Sequence, residues 1–230
     1  MIREPLRRTM LAVVSAVLAV TVTVAVAAAD FVVEDWSKYP AGTRGIPPGW
    51  EGQKWGSPAY DFAIVQDGGR KVLHLKSKDE GSTISKDIKG KINLKETPFL
   101  EWTWKAVVLP VGGDSRKKEL DDQAIQVFVA WPRFPEMVRS RIIGYVWDTT
   151  VPVGTIAKSE KTGTVTYIVV RSGPGELGKW ITERRNVRED FKKVYGEEPD
   201  NPAALSISID SNDTKSVSES FVGPVAFKVR

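Results

Sequence analysis

Asp121 and Asp122 stand side by side just before the apolar run that continues through Gln123–Trp131. Two adjacent acids at the mouth of a strand suit a cation or a polar ligand. Neighbours along a strand point to opposite faces, so one pocket receives only one of them. The competing expectation is turn chemistry, with an ion pair to the preceding Arg116-Lys117-Lys118. Trp180-Ile181-Thr182-Glu183-Arg184-Arg185-Asn186 is denser in functional groups. Arginine grips a carboxylate or phosphate in bidentate fashion, and Glu183 serves as an acid or base if burial raises its pKa. The same residues equally make an ion-pair cluster that fixes a helix to a sheet. Arg171, at the end of an earlier strand, joins either arrangement. Asp210-Ser211-Asn212-Asp213-Thr214 sets oxygens at alternate positions, as a hard cation such as calcium requires. It lacks the Gly and distal Glu of an EF-hand loop, and Asp, Asn and Ser are ordinary turn formers. Calcium at Asp210 and Asp213 is the only metal expectation, and no other cofactor is called for.

The remaining counts remove chemistry. The 230 residues include no Cys and one His. Disulfides, Cys-ligated zinc, iron–sulfur clusters and thiol nucleophiles are excluded, as are sites built from two or three imidazoles. Alternation within Lys71–Lys76 sets His74 with Val72 and Lys76, opposite Leu73 and Leu75, so it reads as a partly exposed strand residue rather than a base. There are eight Trp. Trp102 and Trp104 share one face of a strand and read as core. Trp36, Trp50 and Trp55 fall in Gly/Pro-rich loops, and Trp131, Trp147 and Trp180 fall near strand ends or loops. Rings so placed offer flat apolar faces to sugars and other ligands; packing beneath the loop is the alternative for each.

Strands must position these groups. Leu100, Trp102, Trp104, Ala106 and Val108 alternate with polar residues, as do Leu205, Ile207 and Ile209. Phe221, Gly223, Val225, Phe227 and Val229 form a third alternating series. Gln123–Trp131 and Arg141–Trp147 are apolar on both sides, as central strands are, and Thr164–Arg171 is rich in β-formers. Tyr60–Gln66, Lys71–Ser77 and Ser82–Ile88 are shorter, the first two separated by a hairpin signal at Asp67-Gly68-Gly69. One helix is expected: Asn186 caps it, Glu189 completes a capping box, and Gly196 ends it. Val187, Phe191, Val194 and Tyr195 give it a single apolar stripe. The pattern predicts a mainly all-β fold, a jelly-roll-like antiparallel β-sandwich with one short helix packed on it.

The chain opens with Arg3, Arg7 and Arg8, then runs apolar over 10–29 and ends in Ala27-Ala28-Ala29. That is the layout of a secretory signal peptide, residues 1–29, with an uncleaved anchor as the alternative. Residues 30–230 then form one domain, exported and expected in the periplasm. Without the leader, 30 basic and 28 acidic residues remain. That near-balance gives no broad basic field, so no nucleic-acid partner is expected. Membrane contact is expected only if the N-terminal segment stays in place.

Several segments together resemble an uncharacterised bacterial family, domain of unknown function 3047. They are Pro98–Lys105, Asp121–Ala124, Tyr145–Asp148, Arg171–Gly173, Trp180, Glu183–Val187 and Asp210–Thr214, in that order along most of residues 30–230. The resemblance implies one exported domain and supplies no catalytic residues. The expected architecture is also similar to the sandwiches of carbohydrate-binding modules and lectin-like domains, a likeness of fold that does not fix function.

The leading functional expectation is an envelope β-sandwich that binds a glycan or other polar envelope ligand. Asp121, Asp122, Trp147, Arg171, Trp180, Glu183, Arg185 and Asp210 are the candidate contacts. A glycan-active hydrolase or lyase using paired carboxylates is the alternative, and requires two acids in one cleft. An envelope assembly factor is the third, and requires an exposed apolar patch.

Overall fold

The computed structural model describes residues 29–229. The expected leader therefore lies outside the described residues but for Ala29. In chain order the strands are β1 (Phe31–Glu34), β2 (Glu51–Gly52), β3 (Asp61–Asp67), β4 (Arg70–Lys78), β5 (Gly81–Asp87), β6 (Phe99–Val108) and β7 (Ile125–Trp131). A single turn, α1 (Glu136–Arg139), leads to β8 (Arg141–Asp148), β9 (Ile156–Lys158), β10 (Val165–Ser172) and β11 (Ile181–Asn186). Then come α2 (Val187–Tyr195), β12 (Ala204–Asp210) and β13 (Val217–Lys228).

Two sheets result. The first has the order β11-β6-β13-β4-β3, with β1 also paired to β13; the second has the order β2-β5-β12-β7-β8-β10-β9. All nine expected strands are present. One pair departs from the antiparallel expectation: β8 and β10 run parallel. A parallel pair needs a long crossover, and the segment between them, which carries β9, provides it. The β3–β4 hairpin turns at Gly68 and Gly69, with φ of 59° and 78°, a combination that glycine adopts at little cost.

The inner faces form the core. Leu100, Trp102, Trp104 and Ala106 of β6 meet Tyr145 and Trp147 of β8, with ring centroids 5.2 Å apart for Trp102–Tyr145 and 6.1 Å for Trp104–Trp147. Burying each such side chain is worth about 1.5–3 kcal/mol, and with no disulfide this burial must offset the chain entropy. The alternation in β13 slips. Ser220 and Val222 face inward, a bulge follows, and Val225 and Phe227 resume the inward set. Phe221 is thereby moved off the face it was expected to share with Val225 and Phe227, onto the outer side of the sheet.

The helix is built as its sequence reads. Asn186 accepts a hydrogen bond from the Glu189 N–H at 3.1 Å, and Gly196, at φ 73°, closes the C-terminus on Lys192 O at 2.8 Å. Val187 and Phe191 are buried against the core.

The segment after β1 is held by one carboxylate. Glu34 Oε2 accepts from Lys86 Nζ (2.6 Å), the Tyr39 hydroxyl (2.9 Å) and Trp50 Nε1 (3.2 Å), while Oε1 accepts from the Asp35 and Trp36 N–H groups. Burial alone would raise its pKa, but the bonds from Lys86, Tyr39 and Trp50 outweigh that and hold it at about 2. Trp36 sits at φ 63°, an unfavourable conformation for a bulky residue. Its indole N–H donates to Gly223 O at 2.8 Å, and its ring stacks on Trp50 at 5.6 Å. Two of the three loop tryptophans are therefore packing residues; Trp55 is exposed.

Candidate ligand-binding face

The acids Asp121, Asp122 and Asp210 do converge. They close the end of the second sheet where β7 begins and β12 ends. Asp122 accepts from the Asp213 N–H at 3.1 Å and the Thr214 N–H at 2.6 Å. Asp210 accepts from the Gln123 N–H at 2.7 Å and from Gln126 Nε2 at 3.0 Å. Asp121 accepts from Gln123 Nε2, Ser159 and Tyr167 at 2.9–3.3 Å. Burial pushes the Asp121 carboxyl up to about 6. Burial, with Asp122 and Asp121 nearby, raises Asp210 well above the carboxylate range. Raised acids in a cleft are candidates for proton transfer, but Asp121 and Asp122 are 3% and 0% exposed. Asp122 ties the β6–β7 loop to the β12–β13 loop, and Asp121 ties it to Ser159 and Tyr167 around the β9–β10 turn. The ammonium of Lys161 pairs with Asp213, so calcium there would have to displace a lysine. Among the described residues no three acidic or imidazole side chains are grouped as metal ligands.

Arg171, Glu183 and Arg185 converge elsewhere, between the sheet edges beside α2. Arg171 Nε donates to Glu183 at 2.5 Å and its Nη1 to Glu176 at 2.8 Å. Arg185 forms a bidentate pair with Asp190 of α2, at 2.6 and 3.0 Å, and Asp190 also accepts from the Tyr145 hydroxyl at 2.9 Å. This is the ion-pair cluster that fixes the helix to the sheet. Trp147 lies in the core with its N–H on Gly173 O at 3.1 Å, and 1% exposure leaves no face for a ligand.

Trp180, half-buried like Arg171, Arg185 and Asp210, lies on the outer side of the first sheet. Cross-strand register sets Lys105 of β6, Phe221 of β13 and His74 of β4 in one row. His74 stacks on Phe221 at 4.1 Å, nearly parallel, and its Nε2 lies 2.7 Å from Glu219. Trp180 meets Phe221 edge-on at 6.3 Å. The Arg70 guanidinium lies over the Trp180 ring at 4.4 Å, with Lys105 Nζ at 5.1 Å. Lys105 also pairs with Asp67 and holds that carboxyl below its usual range. Gly223 makes room for the arrangement, since a Cβ there would lie 2.1 Å from Thr103 Oγ1 and 3.6 Å from the Trp180 ring. Beside the row, two residues along β4 and β13, lies a cleft of about 340 Å³ lined by Asp61, Lys76, Glu80, Val217 and Glu219 among others. Arg70, Lys105 and the stacked His74 cover faces of these rings, so an extended polar ligand with apolar ring faces fits the strip and its adjoining cleft once the two cationic side chains swing aside. Sequence reasoning placed His74 on the outer side of its strand but missed Phe221, Lys105 and Arg70. Only the strand register brings them to Trp180.

Known structures overlap this chain broadly at low similarity. The family 11 carbohydrate-binding module of cellulase Lic26A-Cel5E from Clostridium thermocellum is 8% identical, over 89% of this chain and 97% of that one, at a TM-score of 0.43. The family 30 module of cellulase Cel9D-Cel44B from the same organism is 13% identical, over 86% and 97%, at 0.43. The CBM22-1 xylan-binding domain of Paenibacillus barcinonensis Xyn10C is 11% identical, over 90% and 99%, at 0.40. A search of the curated proteins found no match. The sequence profile described as "Protein of unknown function (DUF3047)" matches residues 48–226, and the chain belongs to that family.

Proposed function

We propose that this chain is a ligand-binding β-sandwich of the bacterial envelope, exported to the periplasm, and that it binds a glycan along the outer face of the first sheet. One observation carries the reading: Trp180, Phe221 and His74 form an aromatic strip on a rigid sheet, capped by Arg70 and Lys105, which a ligand would draw aside, and bordered by Asp67 and Glu219. Sugars present apolar ring faces and hydroxyl edges, and this strip meets both. The hydrolase alternative asks for two carboxylates that reach a substrate. Asp121 and Asp122 are enclosed and bonded inward, and Glu183 is bound to Arg171. A glycan array of neutral, acidic and amino sugars, followed by calorimetry on any hit, tests the proposal. Trp180→Ala and Phe221→Ala should each weaken a hit tenfold or more, about 1.4 kcal/mol. Absence of binding to every glycan, or binding that both variants retain in full, overturns it.

A further inference from the structure

The end of the molecule away from the Asp121–Asp210 cluster has a different chemistry. Between β7 and β8 the chain turns through a tip that includes α1 and carries three apolar side chains in water. Phe134 is 87% exposed, Met137 91% and Val138 74%. Single exposed apolar residues are ordinary, but three on one tight tip mark a contact surface. Glu136 is the one acid among them.

Behind the tip lies a cleft of about 600 Å³, between the C-terminal end of α2, the start of β8 and the β9–β10 turn. Its walls carry Arg133, Arg139, Arg141, Lys158 and Lys193 and no carboxylate. Glu197 at the rim pairs with Arg133 at 2.9 Å and Arg141 at 3.1 Å, and Asp200 lies 3.9 Å from Arg133. Among the described residues no carboxylate pairs with Arg139, Lys158 or Lys193. The wall near α2 is built rather than loose. The Tyr195 hydroxyl bonds both the N–H and the C=O of Ile142, and the Arg141 guanidinium covers its ring at 4.5 Å. The near-neutral total charge hides this concentration of cations at one end.

A soluble polyanion would engage the cations and leave the apolar tip in water. An apolar protein partner would cover the tip and leave the cations uncompensated. A bilayer with anionic headgroups satisfies both at once, phosphates meeting the cations while the tip enters the acyl boundary. We propose that this end of the molecule docks on an anionic lipid surface through Phe134, Met137 and Val138 together with Arg139, Lys158 and Lys193. This contact is separate from the glycan-binding face and independent of the first 28 residues.

The absence of cysteine allows a direct test in the full chain. Met137→Cys places an environment-sensitive fluorophore on the tip. Val111→Cys places the same probe in the β6–β7 loop at the opposite end, where Val111 is 75% exposed. Each is mixed with vesicles of phosphatidylglycerol and phosphatidylcholine, or of phosphatidylcholine alone. The probe at 137 should brighten and shift blue on the anionic vesicles only, weaken as salt rises, and leave the probe at 111 silent. Combining Arg139→Gln, Lys158→Gln and Lys193→Gln should weaken the apparent affinity by about fivefold for each cation removed. No change at 137 on anionic vesicles overturns the proposal. So does an equal response on neutral vesicles, or equal responses at 137 and 111, either of which would assign binding to the N-terminal apolar segment. A response at 137 to soluble polyphosphate matching that to vesicles also overturns it.

Discussion

Replacing Glu34 with glutamine should destabilise the domain by about 3 kcal/mol at pH 7, and by distinctly less in acid. The carboxyl titrates at about 2 rather than its ordinary 4.5. Each pH unit of that difference is worth about 1.4 kcal/mol, and the side chain is 2% exposed, so solvent screening removes little. The sign follows from linkage. A carboxylate whose folded pKa is depressed adds stability that is complete above its unfolded value and is lost as pH falls toward the folded one. At pH 3 most unfolded chains already carry the proton while the folded group is still ionised, so about 1.4 kcal/mol of the effect remains. The difference between wild type and Glu34→Gln should therefore narrow by about 2 kcal/mol from pH 7 to pH 3. Glutamine also presents an NH₂ to a pocket of donors, and that conflict keeps the two curves apart in acid. Urea titrations at the two pH values, followed by tryptophan fluorescence, measure the difference. A gap of equal size at both pH values, or one that widens in acid, would refute the charge argument. Glu34 would then be only a shape-filling residue.

Asp121 should show the opposite pH dependence. Its folded pKa, about 6, lies above the ordinary 3.8, so ionisation costs stability as pH rises from about 4 through 6. Asp121→Asn should flatten the wild-type decline between pH 5 and 7.5 by about 1.4 kcal/mol, and a variant that keeps the full decline would count against this assignment. Gly223→Ala should cost about 1–3 kcal/mol in thermal or urea unfolding, because the new methyl meets Thr103. Thr103→Ala should restore most of the loss, and a Gly223→Ala variant as stable as wild type would show that the close approach is not required.

Period-two alternation marked β6 and β12 plainly, and the Asn186–Gly196 helix signals were met at both ends. Those features depend on neighbours in the chain. The four strands that were not anticipated fail that condition. β2 and β9 have two and three residues, too short to show a period, and β1 has four. β11 is Ile-Thr-Glu-Arg-Arg-Asn, whose inward side is partly ionic because Glu183 and Arg185 find partners in Arg171 and Asp190. Hydrophobic pattern cannot mark a strand that buries ion pairs. The bulge at Gly223-Pro224 likewise shifted Phe221 to the outer face, which a strict alternation rule forbids. Among the functional candidates, Asp121-Asp122 and Asp210 read as two separate motifs in the sequence, and the fold brings them together as one acid cluster. Their burial depends on loops from three separate segments. Trp180 was legible as a ring in a loop, while its neighbours Arg70, Lys105 and Phe221 come from three strands that only the sheet register aligns.

The sheet order also fixes when the molecule can close. In the first sheet β3-β4 forms one half and β6-β11 the other, and β13 lies between them. In the second sheet β2-β5 and β7-β8-β10-β9 are likewise separate until β12 is inserted. β12 and β13 are the last two described strands, so both sheets are stitched by the same final stretch of chain. β13 then captures β1 as well, pairing Phe31 with Phe227. Before that stretch arrives a growing chain can pair strands close in sequence, such as β3 with β4 and β7 with β8, whereas each central pairing must close a long loop before any contact rewards it. Folding should therefore be late, nearly all-or-none and governed by the C-terminal strands. The same arrangement keeps the incomplete chain open, with its half-sheets unpaired, until Ala204–Lys228 is free to join them.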